Sequence, residues 1–158
     1  MTTKEYEKRI NEHCEKRNKY EEKADEIVNK FISTYFGDYN WTVTRTKSEW
    51  EHYDYIISQS KVEFKQRWFK DINQYNKYKE EGFCLSYDKI NNADVILYHI
   101  PITNEMLYIK CKLIKELYNA NQIKLVKKKV NKYQFTDLGK HEENLLLIPY
   151  KYFTIYKM

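Results

Sequence analysis

Glycine and proline are nearly absent, with 3 and 2 residues in a chain of 158. Long flexible linkers and proline-rich recognition tracts are thereby excluded. Cysteine is scarce and odd in number (Cys14, Cys84, Cys111), with no CxxC pair and no zinc spacing among the 4 histidines. That excludes a disulfide framework and a structural zinc centre, and fits reduced thiols in a cytoplasmic setting. No glycine-rich phosphate loop or dinucleotide fingerprint occurs, so no nucleotide cofactor is expected. No run is apolar enough to span a bilayer and no secretory leader is visible, so a membrane partner is not expected either.

What remains is a globular composition. Hydrophobic residues make up 42% and charged residues 32%, enough apolar side chain to close a core. Sixteen tyrosines supply rings that serve a core and a polar surface alike. The net charge of +5 permits a polyanionic partner without requiring one. A single domain over residues 1–158 is expected, with 1–20 as a polar helical extension.

Apolar residues at Ile10, Cys14, Ala24, Ile27, Val28, Phe31 and Tyr35 predict one long helix from about Lys4 to Tyr35, ended at Gly37 in the GDYN segment. Extended runs follow at Trp41–Arg45, Tyr53–Ile57 (YDYII) and Lys61–Trp68 (KVEFKQRW). A helix over Lys70–Glu81 stops at Gly82. The most apolar strand, Ala93–Pro101, turns at Thr103–Asn104 into Met106–Lys110. Lys112–Tyr118 reads as a short helix, Ile123–Phe135 as a basic extended run, and Leu145–Ile148 as a last apolar one. With no internal repeat, this order predicts an α/β (α+β) domain with a central mixed sheet flanked by helices.

In KVEFKQRW side chains alternate between faces: Val62 and Phe64 can anchor the strand, and Glu63, Lys65 and Arg67 point the other way. Asp54 interrupts an otherwise apolar strand, where an acid gives up burial that Val or Ile would gain. With SQS as the turn, an even-numbered loop puts Asp54 on the face of Glu63 and Lys65, and an odd one does not. Converging carboxylates make a hard-oxygen site for Mg²⁺ or Mn²⁺, with Asp54, Glu63 and the Phe64 carbonyl as candidate ligands. A cation there acidifies a water and neutralises phosphate charge, and Lys65 can orient the water: the needs of phosphodiester hydrolysis. An ExK on a strand is more often simply a solvated face, and the upstream acid is what alters that balance.

The succession of helix, acid-bearing apolar strand, turn, ExK strand, helix and strand resembles the PD-(D/E)xK nuclease superfamily. The matching segments are YDYII and VEFKQR, within roughly Glu21–Lys110, and Tyr53 stands where the motif has its proline. The resemblance implies a restriction-endonuclease-like fold, a Mg²⁺-dependent deoxyribonuclease and DNA as partner, with Asp54, Glu63 and Lys65 as the catalytic core. It also implies a further acid from the first helix, for which Glu21 is the first choice and Glu22, Asp25 and Glu26 remain open. Gln66, Arg67 and Lys89 become candidate phosphate contacts, although Arg67 pairing with a surface acid is equally natural and a solvated lysine is the default for Lys89. Lys127, Lys128 and Lys129, in KLVKKKVNKY, suit a groove that tracks a nucleic-acid backbone, and an edge strand guarded by lysines has the same composition. His99 reads as a hydrogen-bonded core residue. Cutting both strands of a duplex with so small a domain predicts a homodimer. The Lys/Asn/Ile/Tyr-rich composition fits an AT-rich phage or mobile-element source. The competing reading is a nuclease-fold protein that binds nucleic acid or a protein partner without cutting.

Overall fold

The long first helix follows from local chemistry. Thr2 and Glu5 form a reciprocal capping box, with the Thr2 hydroxyl accepting from Glu5 N–H at 3.3 Å and Glu5 accepting from Thr2 N–H at 2.7 Å. No glycine or proline intervenes before Gly37, and α1 runs unbroken over Thr3–Phe36. Its 34 residues span about 50 Å. The computed structural model describes residues 1–37, 42–46, 53–131 and 139–158. Trp41, Tyr133 and Phe135, which the sequence places in extended runs, lie outside the described residues, as do the last three residues of GDYN.

After α1 come β1 (Val43–Arg45), β2 (Tyr55–Ile57) and β3 (Ser60–Gln66). Then follow α2 (Ile72–Glu81), β4 (Phe83–Ser86), α3 (Lys89–Asn92), β5 (Val95–Ile100) and β6 (Glu105–Lys110). The chain continues through α4 (Cys111–Asn119), β7 (Lys124–Asn131), β8 (Lys140–Ile148), a 3₁₀ turn at Tyr150–Tyr152 and β9 (Thr154–Lys157). Six strands form the central sheet in the order β1-β2-β3-β5-β6-β9. It is mixed, because β3 and β5 are parallel and the other neighbours antiparallel. A second, antiparallel sheet has the order β4-β8-β7. The mixed α+β class with a long N-terminal helix is thus the observed one. The sequence pattern misses β4, α3 and β9, each only 4 residues long and too short to show a period.

The central sheet carries a core on each face. On one, Ala24, Val28 and Phe31 of α1 pack on Tyr55, Ile57, Val62, Phe64, Val95 and Leu97. On the other, Ile96, Tyr98 and Ile100 meet Tyr75 of α2, Ile90 of α3, Ile114 of α4 and the Leu85, Leu146 and Ile148 side chains of the second sheet. Burial on both sides is why β5 reads as an unbroken apolar run. Gly82 ends α2 at φ +105°, and a Cβ there would lie 3.1 Å from the Leu147 carbonyl carbon, so the stop needs glycine. Among the described residues no helix is long and apolar enough to cross a membrane.

Candidate active site

The turn decides the geometry. Ser58 and Gln59, at φ 46° and 84°, form a two-residue loop, and Ser60 already belongs to β3 opposite Ile57. Positive φ at both central residues is the pattern of a type I′ hairpin. The even loop brings Asp54 back beside Glu63, but not as the flat partner that the alternation predicts. Asp54 N–H donates to the Val62 carbonyl at 2.8 Å, and Tyr55 is also paired with Val62. Two residues face one, a β-bulge that re-aims the acid and ends β2 at Tyr55 instead of Tyr53. Asp54 Oδ2 then accepts from the Phe64 N–H at 2.7 Å.

Backbone directions on β3 explain why. Lys61 and Arg67 bond towards β5, through Asp94 N–H to the Lys61 carbonyl and Arg67 N–H to the His99 carbonyl. The alternate residues turn the other way, where β2 has ended. There the Phe64 N–H meets Asp54 and the Gln66 N–H meets the Tyr20 hydroxyl at 3.2 Å. The Phe64 carbonyl shares that side with its N–H, and its ring is in the core beside Tyr55.

Glu63 is 1% exposed. Its Oε1 lies 2.6 Å from Lys65 Nζ and its Oε2 3.0 Å from Lys89 Nζ. The two ammonium groups make such deep burial of a carboxylate tolerable. Asp54 is half-buried, and its pKa is pushed up to about 6, by burial first and then by the neighbouring Glu63, with Lys65 opposing. Tyr20 is held up to about 12, chiefly by burial. The cluster therefore joins two unlike acids, one paired with lysines and one raised towards neutrality, with a half-buried phenol at its edge.

The other candidate residues are placed as follows. Glu21 does not join the acids: its carboxylate lies 3.9 Å from Arg17, and its carbonyl accepts from Arg45. The buried stripe of α1 runs through Ala24, Val28 and Phe31 with Tyr20 one turn earlier, which leaves Glu21 on its flank. Asp25 accepts from Arg45 and from the Tyr55 hydroxyl, each at 2.8 Å. The residue that α1 sends to β3 is Tyr20, and its four-residue spacing from Ala24 and Val28 was the available signal. Lys89 comes into the site, but onto Glu63. Gln66 turns to the opposite face and bonds the His99 ring Nδ1 at 3.0 Å through its side-chain nitrogen. His99 is a buried, hydrogen-bonded residue, its pKa lowered by that burial. Arg67 donates to the Cys84 carbonyl at 3.1 Å and lies 5.7 Å from the Tyr98 ring centre. Lys127, Lys128 and Lys129 are exposed on β7, opposite Asn144, Glu143 and Glu142 of β8. Among the described residues no cluster of three or more His, Cys, Asp or Glu exists that could hold a metal ion.

No protein-family model matches the chain, and no curated protein matches it. Among solved structures it is similar to a nuclease from a fusselovirus at 14% identity and a TM-score of 0.48, over 80% of this chain and 77% of that one. A likeness at that level leaves the site to be read from its own geometry.

Proposed function

We propose that the chain is a metal-dependent nuclease of the PD-(D/E)xK type that hydrolyses phosphodiester bonds in DNA. The observation that carries this reading is the pairing of Asp54, bulged out and pushed up to about 6, with a buried Glu63 that shares its face of β3 with Lys65. Two carboxylates and a strand carbonyl that turns towards Asp54 form an incomplete oxygen shell. Mg²⁺ suits such a shell, since it takes one or two carboxylates and leaves the remaining positions to water and phosphate oxygens. Asp54, Glu63 and the Phe64 carbonyl would hold Mg²⁺ or Mn²⁺. The ion supplies charge neutralisation at the phosphate and acidifies a water.

The chain's own residues do the rest. The Asp54 carboxylate is oriented by the Phe64 N–H, which leaves Oδ1 for a ligand. Lys65 is within reach of Glu63 Oε1, so its ammonium can swing between that oxygen and a water or phosphate oxygen as charge grows in the transition state. Lys89 stays paired with Glu63 when Lys65 leaves it. A second reading, binding without cutting, draws on the same two lysines, because both Glu63 oxygens are already bonded to ammonium groups.

Incubation with single-stranded and duplex DNA in Mg²⁺ and in EDTA distinguishes the two. Cleavage that EDTA stops and Asp54→Asn abolishes supports the nuclease. DNA binding with no cleavage in Mg²⁺ supports the second reading.

A further inference from the structure

Beyond the acid cluster, the sheet end holds a cavity of about 180 Å³ on the α1 side of β3 and β5, lined among others by Lys23, Lys30, Gln66, Trp68, His99 and Asn104. A cavity of about 150 Å³ already admits benzene, so a heteroaromatic ring fits this one. Trp68 is 64% exposed, which for an indole on a surface wants a reason, and Lys23 Nζ lies 5.3 Å from its ring centre. Lys23, Ile27 and Lys30 follow one another at four- and three-residue steps, so both lysines look into the same space from one helix face. At the cavity's polar side the Gln66 amide nitrogen bonds His99 Nδ1, and such an amide still carries a second N–H and a carbonyl oxygen. Among the described residues no Asp or Glu side chain lines it.

We propose that this cavity is a subsite for one unpaired nucleotide, its base on Trp68, its phosphate between Lys23 and Lys30, and its base edge towards Gln66 and His99. The inference rests on the nuclease reading, which it deepens by naming the substrate as a strand with an unstacked nucleotide. An aromatic face with cations beside it is the chemistry by which single strands are held, because every base offers a π-face and every linkage a charge. Gln66 links the subsite to the reaction centre. It directly follows Lys65 on β3, and its N–H is fixed by Tyr20, the residue of α1 that also borders the acids. A strand passing over the C-terminal end of β3 goes from Lys65 on one face to the cavity on the other. The His99 pKa is lowered by burial, with the Asn104 hydrogen bond opposing and Lys23 and Lys30 adding to the lowering.

The test is a titration followed by NMR of the Trp68 indole and Gln66 amide N–H signals, with deoxyadenosine monophosphate, deoxyadenosine and inorganic phosphate in separate arms. The monophosphate should shift both signals. Lys23→Ala with Lys30→Ala should weaken the monophosphate about tenfold and leave deoxyadenosine little changed. Trp68→Ala should weaken both at least about fivefold. Inorganic phosphate binding as tightly as the monophosphate would make the cavity an anion site only and overturn the proposal. So would unmoved indole and amide signals at saturating monophosphate in protein that still cleaves DNA, a result that leaves the nuclease reading standing. Nucleotide binding in protein that cuts nothing supports the subsite and removes the nuclease reading.

Discussion

Asp54 and Glu63 show how one strand crossing treats two acids differently. Glu63 is paired with two lysines, and Asp54, whose carboxylate accepts from the Phe64 N–H, is pushed up to about 6. An acid raised by folding lends its stability in the protonated form. That contribution is whole below the unfolded value near 4 and disappears as pH rises through about 6. Between about pH 5 and pH 7 the wild type should therefore lose roughly 1 kcal/mol relative to Asp54→Asn, which cannot ionise. Urea unfolding of both proteins across that range checks it, and parallel curves would remove the assignment. At neutral pH, Mg²⁺ should raise the melting temperature of the wild type and barely change that of Asp54→Asn, because the cation relieves the repulsion between the acids. Equal rises in both would put the ion elsewhere.

At the scale of elements, the hairpin sets the register on which the site depends. Ser58 and Gln59 adopt positive φ without the Asn-Gly pair that favours it. Ser58→Asn with Gln59→Gly should stabilise the protein by about 1 kcal/mol in thermal unfolding and keep activity. One residue inserted between them shifts β2 against β3 and should abolish activity even where the fold survives. The β7–β8 hairpin makes a different prediction. Lys128 and Lys129 sit opposite Glu143 and Glu142, so the hairpin places an acid across from two of the three lysines. The triple alanine variant at Lys127, Lys128 and Lys129 should lower the slope of log affinity against log salt by about 1, where three free phosphate contacts would lower it by roughly 3. Filter binding at several salt concentrations separates these values. Much of this was legible from pattern alone. The long helix, α2 with its stop at Gly82, the apolar β5 and the turn into β6 all appear in the periodicity, since burial repeats there over enough residues to register. That Asp54 comes beside Glu63 and Lys65 was legible from the acid inside an apolar strand and from the alternation of KVEFKQRW. The bulge at Asp54, Tyr20 and the Lys89–Glu63 bond were not. The first is a backbone detail, the second turns on a rotation of α1 by one residue, for which the spacing from Ala24 was a signal outweighed by the search for an acid, and the third joins groups 26 positions apart.

For the whole molecule, α1 and the two sheets enclose cores on both faces of the central sheet, and the acids lie where β2 ends and leaves the edge of β3 to side chains. On the proposed function, one such site per chain would cut one strand at a time, so duplex cleavage would call for two copies related by a twofold axis. Light scattering at micromolar concentration should report a dimer, and a monomer that still makes duplex breaks would contradict this. The central claim, that β3 carries a phosphodiester-cleaving centre, is tested most directly through Lys65. Single-turnover cleavage of DNA in Mg²⁺, with affinity measured separately in Ca²⁺, should show Lys65→Ala slower by about a hundredfold or more and binding within a fewfold of wild type. Cleavage by Lys65→Ala at the wild-type rate, or no cleavage by the wild type itself, would contradict the account.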